Sequence, residues 1–166
     1  VSDQTTKKDD TTDDQKPAIT TPRMVEAESE VARTRAELAA TVDALTARSR
    51  SLLACHGNND GPDVRARVPE VARATVAGVR LGVVHETGAA TGRERRCDAA
   101  FPDLDLLVFG HSHIPWDSTT PGGLRLLNPG SPTDRRRQPA CTFLTFTLAD
   151  AGVHDVVLHA LPPRPR

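Results

Sequence analysis

The chain of 166 residues lacks any run approaching the roughly 18 apolar residues of a membrane-spanning helix, and no apolar segment follows its start. Both absences argue against a membrane span or a secretory leader and point to a cytoplasmic protein. Its opening on Val1 rather than Met leaves two readings, an alternative start codon and a processed end. Cysteine is scarce: Cys55, Cys97 and Cys141 are odd in number and widely spaced, with no C-x-x-C. That pattern fits reduced thiols and excludes a disulfide framework or a thiolate zinc site. There is no excess of positive charge either. The formal net charge of -1 removes bulk electrostatics as a reason to bind nucleic acid. Lysine is absent after Lys16, and every later basic residue is arginine, which marks a change of composition near Pro17.

Large apolar side chains are almost missing from the first twenty residues. A segment of Asp, Thr, Lys and Gln buries too little apolar surface to offset its ordering entropy, so residues 1–21 are expected to be a disordered tail. Thr21-Pro22 then reads as a helix start, with Thr21 as N-cap and Pro22 at the first helical position. No Gly or Pro interrupts Met24 to Arg50, and alanine is abundant there. One long amphipathic helix over 22–50 is expected. Met24, Val31, Leu38, Leu45 and Leu52 recur every seven residues, with Val42 beside Leu38. That stripe is thin. It serves a weak coiled coil, one docking face, or a helix packed on its own domain.

From Ser51 the texture changes to short apolar runs that end in polar loops. Strands are expected at Leu52–Cys55, Arg73–Val76, Val79–Val84, Leu106–Phe109 and Leu124–Leu127, and a hairpin from Thr142–Leu148 and Val153–Leu161 closes the domain. Gly92–Ala100 reads as a short helix, while His56–Pro62 and Pro115–Gly123 read as loops. The domain is expected to occupy 51–162, with 163–166 as a tail.

Two histidines come after the strand at Leu106: Phe109-Gly110-His111-Ser112-His113. If the extended geometry continues past Phe109, residues i and i+2 face one side, and both imidazoles meet one point in space. A metal ion is the commonest reason for that arrangement. Other strand ends carry Asn58, His85 and Asn128-Pro129-Gly130-Ser131. In open α/β sheets ligands gather outside the carboxyl ends of strands. Three imidazoles and an amide oxygen there suit a divalent Zn, Fe or Mn-type ion.

The ordered set Gly57-Asn58-Asn59-Asp60, a strand ending in His85, Gly110-His111-Ser112-His113 and Asn128-Pro129-Gly130-Ser131-Pro132 resembles the calcineurin-like metallophosphoesterases. It looks closest to their small phosphodiesterase branch, over residues 51–162. The resemblance implies an α/β fold, here a partial metallophosphoesterase β-sandwich with flanking helices, preceded by the tail and the long helix. It implies that Asn58, His85 and His111 ligate the second of two metals, and that His113 ligates the first. It also makes Asp60 an orienting residue and has Gly57, Gly110, Asn128, Gly130 and Ser131 shape the site. The activity implied is hydrolysis of a small phosphate ester or phosphodiester with Mn, Fe, Ni or Zn. Separately, Glu28 to Leu38 and Thr41 to Leu45 resemble the opening helix of an uncharacterised bacterial helical-domain family, which implies no chemistry.

The chain departs from the phosphoesterase pattern in three places. Asn59 stands where larger members place a histidine that protonates the leaving group, and an amide cannot donate that proton. The catalytic acid is therefore unassigned. His85 is followed by Glu86 rather than Gly. Upstream, no histidine precedes His56, and neither the D-x-H nor the later G-D of the family is found before Asn58. Those motifs carry the carboxylates that hold the first ion and bridge both. Two cations roughly 3.5–4 Å apart without a bridging anion repel strongly. At most one ion is expected to bind, with impaired hydrolysis by this chain alone. Missing strands also leave an open sheet edge.

Three functions are open: an impaired metal-dependent phosphodiesterase, a non-catalytic fragment or fusion product that self-associates or binds a partner through helix 22–50, and a site completed in trans by another chain. Among the remaining residues, His56, His154 and His159 read as structural or surface positions. Trp116 reads as packing or as a lip of the cleft. Arg135-Arg136-Arg137 reads either as a solvated turn or as a contact for a substrate phosphate.

Overall fold

In a computed structural model the structure describes residues 22–48 and 51–163. The tail expected at 1–21, the N-cap at Thr21, the helix end expected at 49–50 and the last three residues lie outside them. The chain forms two compact units, Val1–Arg33 and Thr34–Arg166. The described part of the first is helical throughout, as the beginning of helix α1, Pro22–Arg48. Every described strand belongs to the second.

The strands build a five-stranded sheet in the order β1-β2-β3-β5-β4, from β1 (Val71–Val76), β2 (Val79–Val84), β3 (Leu106–Phe109), β4 (Trp116–Thr119) and β5 (Arg125–Asn128). β2, β3 and β5 run parallel, while β1 and β4 pair antiparallel at the two edges. β6 (Thr142–Ala149) and β7 (Gly152–Ala160) form a separate two-stranded antiparallel sheet.

Side-chain alternation along the central strands separates two cores. Leu107, Phe109 and Leu126 point to one face, where they bury Leu104, Leu124 and Cys97 of helix α3 (Arg93–Ala100). Leu106 and Leu127 point to the other, with Val79 and Leu81, and β6–β7 covers them through Leu144, Phe146 and Leu148. Leu106, Leu107, Leu126 and Leu127 are fully buried. Each such leucine contributes on the order of 2 kcal/mol of burial. The layers are therefore helix, sheet, hairpin, a mixed α/β fold.

A paired fork joins the strand starts. Asp105 accepts hydrogen bonds from the Arg80 backbone N–H (2.8 Å), Nε (2.9 Å) and Nη2 (2.6 Å). The Arg80 guanidinium holds the Asp105 carboxyl down at about 2. This fixes the register where β3 enters beside β2.

Several expectations need correction. Leu52–Cys55 is not a strand. Among the described residues no strand pairs with it, and Leu53 instead packs its side chain on the β6–β7 side of the sheet. The segment expected as a loop at 115–123 contains β4, whose alternately half-buried and exposed residues pair with β5. The polar loop from His56 runs straight into a one-turn helix α2, Pro62–Arg65, with Pro62 at its start and Val64 buried. On α1, Val31 and Leu45 of the heptad row are about half exposed, while Ala39, off that row, is buried. The three cysteines are free. No helix among the described residues is long and apolar enough to cross a membrane.

Candidate metal and phosphate site

Because β2, β3 and β5 are parallel, their carboxyl ends lie side by side and release three loops at one edge of the sheet. His85 follows β2, Gly110-His111-Ser112-His113 follows β3, and Asn128 closes β5. The Gly57–Asp60 turn meets them there. A cavity of about 130 Å³ is lined by Gly57, Asn58, Asn59 and Asp60 of that turn. His85, His111, His113 and Arg136 line it as well. The four residues expected to ligate metal, Asn58, His85, His111 and His113, thus share one cavity.

The route to that convergence is not the expected one. β3 ends at Phe109, and His111 and His113 both take left-handed backbone conformations, with φ of 65° and 60°. The imidazoles meet through a tight turn rather than along an extended strand. Left-handed φ is uncommon outside glycine and costs of order 1 kcal/mol or more per residue, and such strain gathers at functional sites. The turn is held from behind. Asn128 is fully buried, and its amide donates to Gly110 O (3.0 Å) and Ser112 Oγ (3.2 Å) while its Oδ1 accepts the Gly130 N–H (2.9 Å). Gly110 donates its N–H to His85 O at 2.9 Å. Asn128, Gly130, Ser131 and Gly110 accordingly brace the loops and are not among the residues lining the cavity.

His85 Nε2 lies 2.9 Å from His111 Nδ1, with the rings edge to face. His111 Nε2 is 3.3 Å from Glu86 Oε2. Burial first, and the neighbouring His111 second, push the His85 imidazolium below its ordinary range. That shift favours the neutral ring, the form that ligates metal. His113 Nδ1 stands 2.6 Å from Asp134 O, and Nε2 has no hydrogen-bond partner among the described residues. Asp60 Oδ2 accepts the Gly57 N–H at 2.6 Å and so holds the Gly-Asn turn against the histidines. His56 and Glu70 line a neighbouring cavity of about 270 Å³. His159 stacks on Phe143, and His154 Nε2 lies 3.1 Å from Ala149 O, both remote from the site on β6–β7. Trp116 packs on the core, with the buried Arg93 guanidinium over its ring.

The donor chemistry suits one ion better than two. Two imidazole nitrogens on one metal, each about 2.0–2.1 Å from it, stand roughly 2.9–3.4 Å apart for angles between square and tetrahedral. The His85–His111 pair has the near end of that separation. Among the described residues, however, no group of three or more His, Cys, Asp or Glu is arranged to hold an ion. The His85 and His111 imidazoles have a spacing compatible with one shared ion, and among the described residues no carboxylate cluster is arranged beside them to bridge a pair.

A mixed sheet whose parallel strand ends gather histidines and an asparagine is the arrangement of a metallophosphoesterase. The pattern of the calcineurin-like phosphoesterase superfamily domain matches residues 31–151, and the chain belongs to that superfamily. A Thermotoga maritima protein solved by solution NMR is 31% identical and covers 73% of each chain with a TM-score of 0.56. The fold is also that of Entamoeba histolytica Vps29 complexed with zinc, 20% identical over 73% of this chain and 74% of that one, TM-score 0.56. A Streptococcus pneumoniae protein described as a predicted phosphoesterase is 19% identical over 64% and 60%, TM-score 0.52. No curated protein matches the chain in sequence.

Proposed function

We propose that the second unit is a metal-dependent phosphoesterase core of reduced capacity, which binds one divalent ion and acts weakly on phosphodiesters or small phosphate esters. The observation that carries this reading is the shared cavity of Asn58, His85, His111 and His113. His85 and His111 would hold the ion, with the Asn58 amide beside them. The ion would supply a Lewis acid for a phosphoryl oxygen and lower the pKa of a bound water. Mn, Fe, Ni and Zn all suit this donor set, and the zinc in the Entamoeba relative supports including zinc. His113, held through Nδ1, lines the same cavity. Asn59 lines the cavity but cannot deliver a proton to a leaving group, so the leaving oxygen must be stabilised in another way.

The test is hydrolysis of an activated diester such as bis(p-nitrophenyl) phosphate at high enzyme concentration with added Mn. Slow, Mn-dependent turnover that His113→Ala abolishes is expected. Absence of turnover with every one of the four metals would remove the catalytic reading for this chain alone.

A second reading is favoured by the β6–β7 sheet. It has only two strands, and Phe143, Val157 and Leu158 on it are between about a third and a half exposed. That surface supports a role in binding a partner, a second copy or a chain that completes the site. Concentration-dependent mass in sedimentation, without hydrolysis, would favour it over the enzyme.

A further inference from the structure

We propose that Arg136 is the residue that grips the phosphoryl oxygens of the substrate, and that Asp134 positions both Arg136 and His113. This rests on the cavity being a phosphate-ester site and names the group that holds the anion there.

Among the described residues lining the cavity, Arg136 is the one with a permanent positive charge. Its backbone is left-handed, φ 47°, where a branched or bulky side chain is uncommon. That turn is built rather than loose. Ser131 Oγ accepts the Asp134 N–H at 3.1 Å, and Asp134 Oδ1 accepts the Arg136 N–H at 3.0 Å. The Asp134 carbonyl meanwhile takes His113 Nδ1 at 2.6 Å. One residue thus ties the arginine to the histidine. Asp134 Oδ2 stands 3.9 Å from Arg136 Nε, at the near end of the guanidinium. The two terminal nitrogens of Arg136 have no hydrogen-bond partner among the described residues. Arg135, by contrast, is engaged by Gln138 O at 2.6 Å and lines a different cavity.

A guanidinium with a free planar fork matches two oxygens of a phosphate, which a point-charge ammonium does not. In a two-ion site the second cation clamps the phosphoryl group. A site with one ion leaves the second cation's part to another positive group, and Arg136 lines the same cavity as the imidazoles.

The experiment measures binding of inorganic phosphate to the full chain, by 31P line broadening in EDTA and by competition with diester turnover in Mn. Arg136→Ala is expected to weaken phosphate at least tenfold while Mn affinity by calorimetry stays within twofold. Arg136→Lys should recover only part of the loss, and Asp134→Ala should weaken phosphate as well. Arg137→Ala, which changes the charge equally, should leave phosphate binding unchanged. Circular dichroism melting checks that each variant folds. Wild-type-like phosphate affinity in Arg136→Ala overturns the proposal. So does an equal loss in Arg137→Ala, or no phosphate binding by the wild-type chain. Arg136-dependent phosphate binding in a chain that neither binds Mn nor turns over would sink the enzyme reading and leave this one standing.

Discussion

His85 Nε2 and His111 Nδ1 face each other at 2.9 Å, close enough to share one proton or one ion. The pair is symmetrical in consequence: removing either ring leaves the other with nothing to bind jointly. We expect His85→Ala and His111→Ala each to weaken Mn or Zn binding roughly tenfold or more, on the scale of 1.4 kcal/mol per decade. The double variant should lose little beyond either single one, because contacting residues act as a unit. Isothermal titration calorimetry on the three variants reads this directly. Additive losses would mean that the two rings serve separate ions.

Gly57 lies against the other side of the His85 ring. A Cβ at Gly57 would stand 2.7 Å from His85 Nδ1, closer than real side chains approach. Gly57→Ala should therefore push the ring out of line with His111. The expected result is a 10–100-fold fall in metal affinity, roughly the range seen when a ligand's orienting contact is lost. Unchanged affinity would show that the ring position tolerates the shift.

Gly130 tests the bracing loop. Its φ is +77°, and an added Cβ would collide with Thr142 Oγ1. Gly130→Ala should cost about 1–3 kcal/mol from backbone strain, with the clash in addition. Urea denaturation measures the loss. Diester turnover in the folded fraction should fall too, since Gly130 donates to Asn128, which holds the His111 turn.

Acid should expose the Arg80–Asp105 fork. The Asp105 carboxyl is lowered from 3.8 to about 2 in the folded chain by hydrogen bonds from Arg80. A depressed carboxylate contributes stability that is complete above its unfolded pKa and is lost as pH falls through the folded value. The window is thus from about pH 4 down to about pH 2. Asp105→Asn should be less stable than wild type at pH 7, and the gap should close across that window. A gap independent of pH would show that the fork acts through packing alone.

How much of this was legible in the sequence depended on how strongly each segment declared its burial. β3 was plain, since Leu106-Leu107-Val108-Phe109 is apolar on both faces and is covered on both. The β6–β7 hairpin showed alternation around Asp150-Ala151-Gly152. Leu52-Leu53-Ala54-Cys55 had the same apolar texture as β3 but lacks a strand to pair with, and pairing is not written in one segment alone. β4 hid for the opposite reason: Trp116-Asp117-Ser118-Thr119 is polar and follows a proline, as an edge strand can. The candidate site residues were readable because histidines and Gly-Asn or Gly-His turns sat at successive strand ends. The left-handed φ of His111 and His113 was not, because nothing in a histidine announces it. The Ser131–Arg136 clasp was half visible. A run of three arginines cannot say which member meets the cavity, and the structure puts Arg136 in its lining while Arg135 lines another.

The left-handed turn at His111 and His113 also decides how this protein responds to selection for heat resistance. Glycine or asparagine at either position would relieve the backbone at once, and such relief commonly adds several tenths to about 1 kcal/mol. A library screened only for thermal survival would therefore drift toward Gly-Gly-Ser-Gly in place of Gly110-His111-Ser112-His113. The most durable survivors would be the ones that had discarded the imidazoles, so stability and chemistry are in direct competition at these two residues.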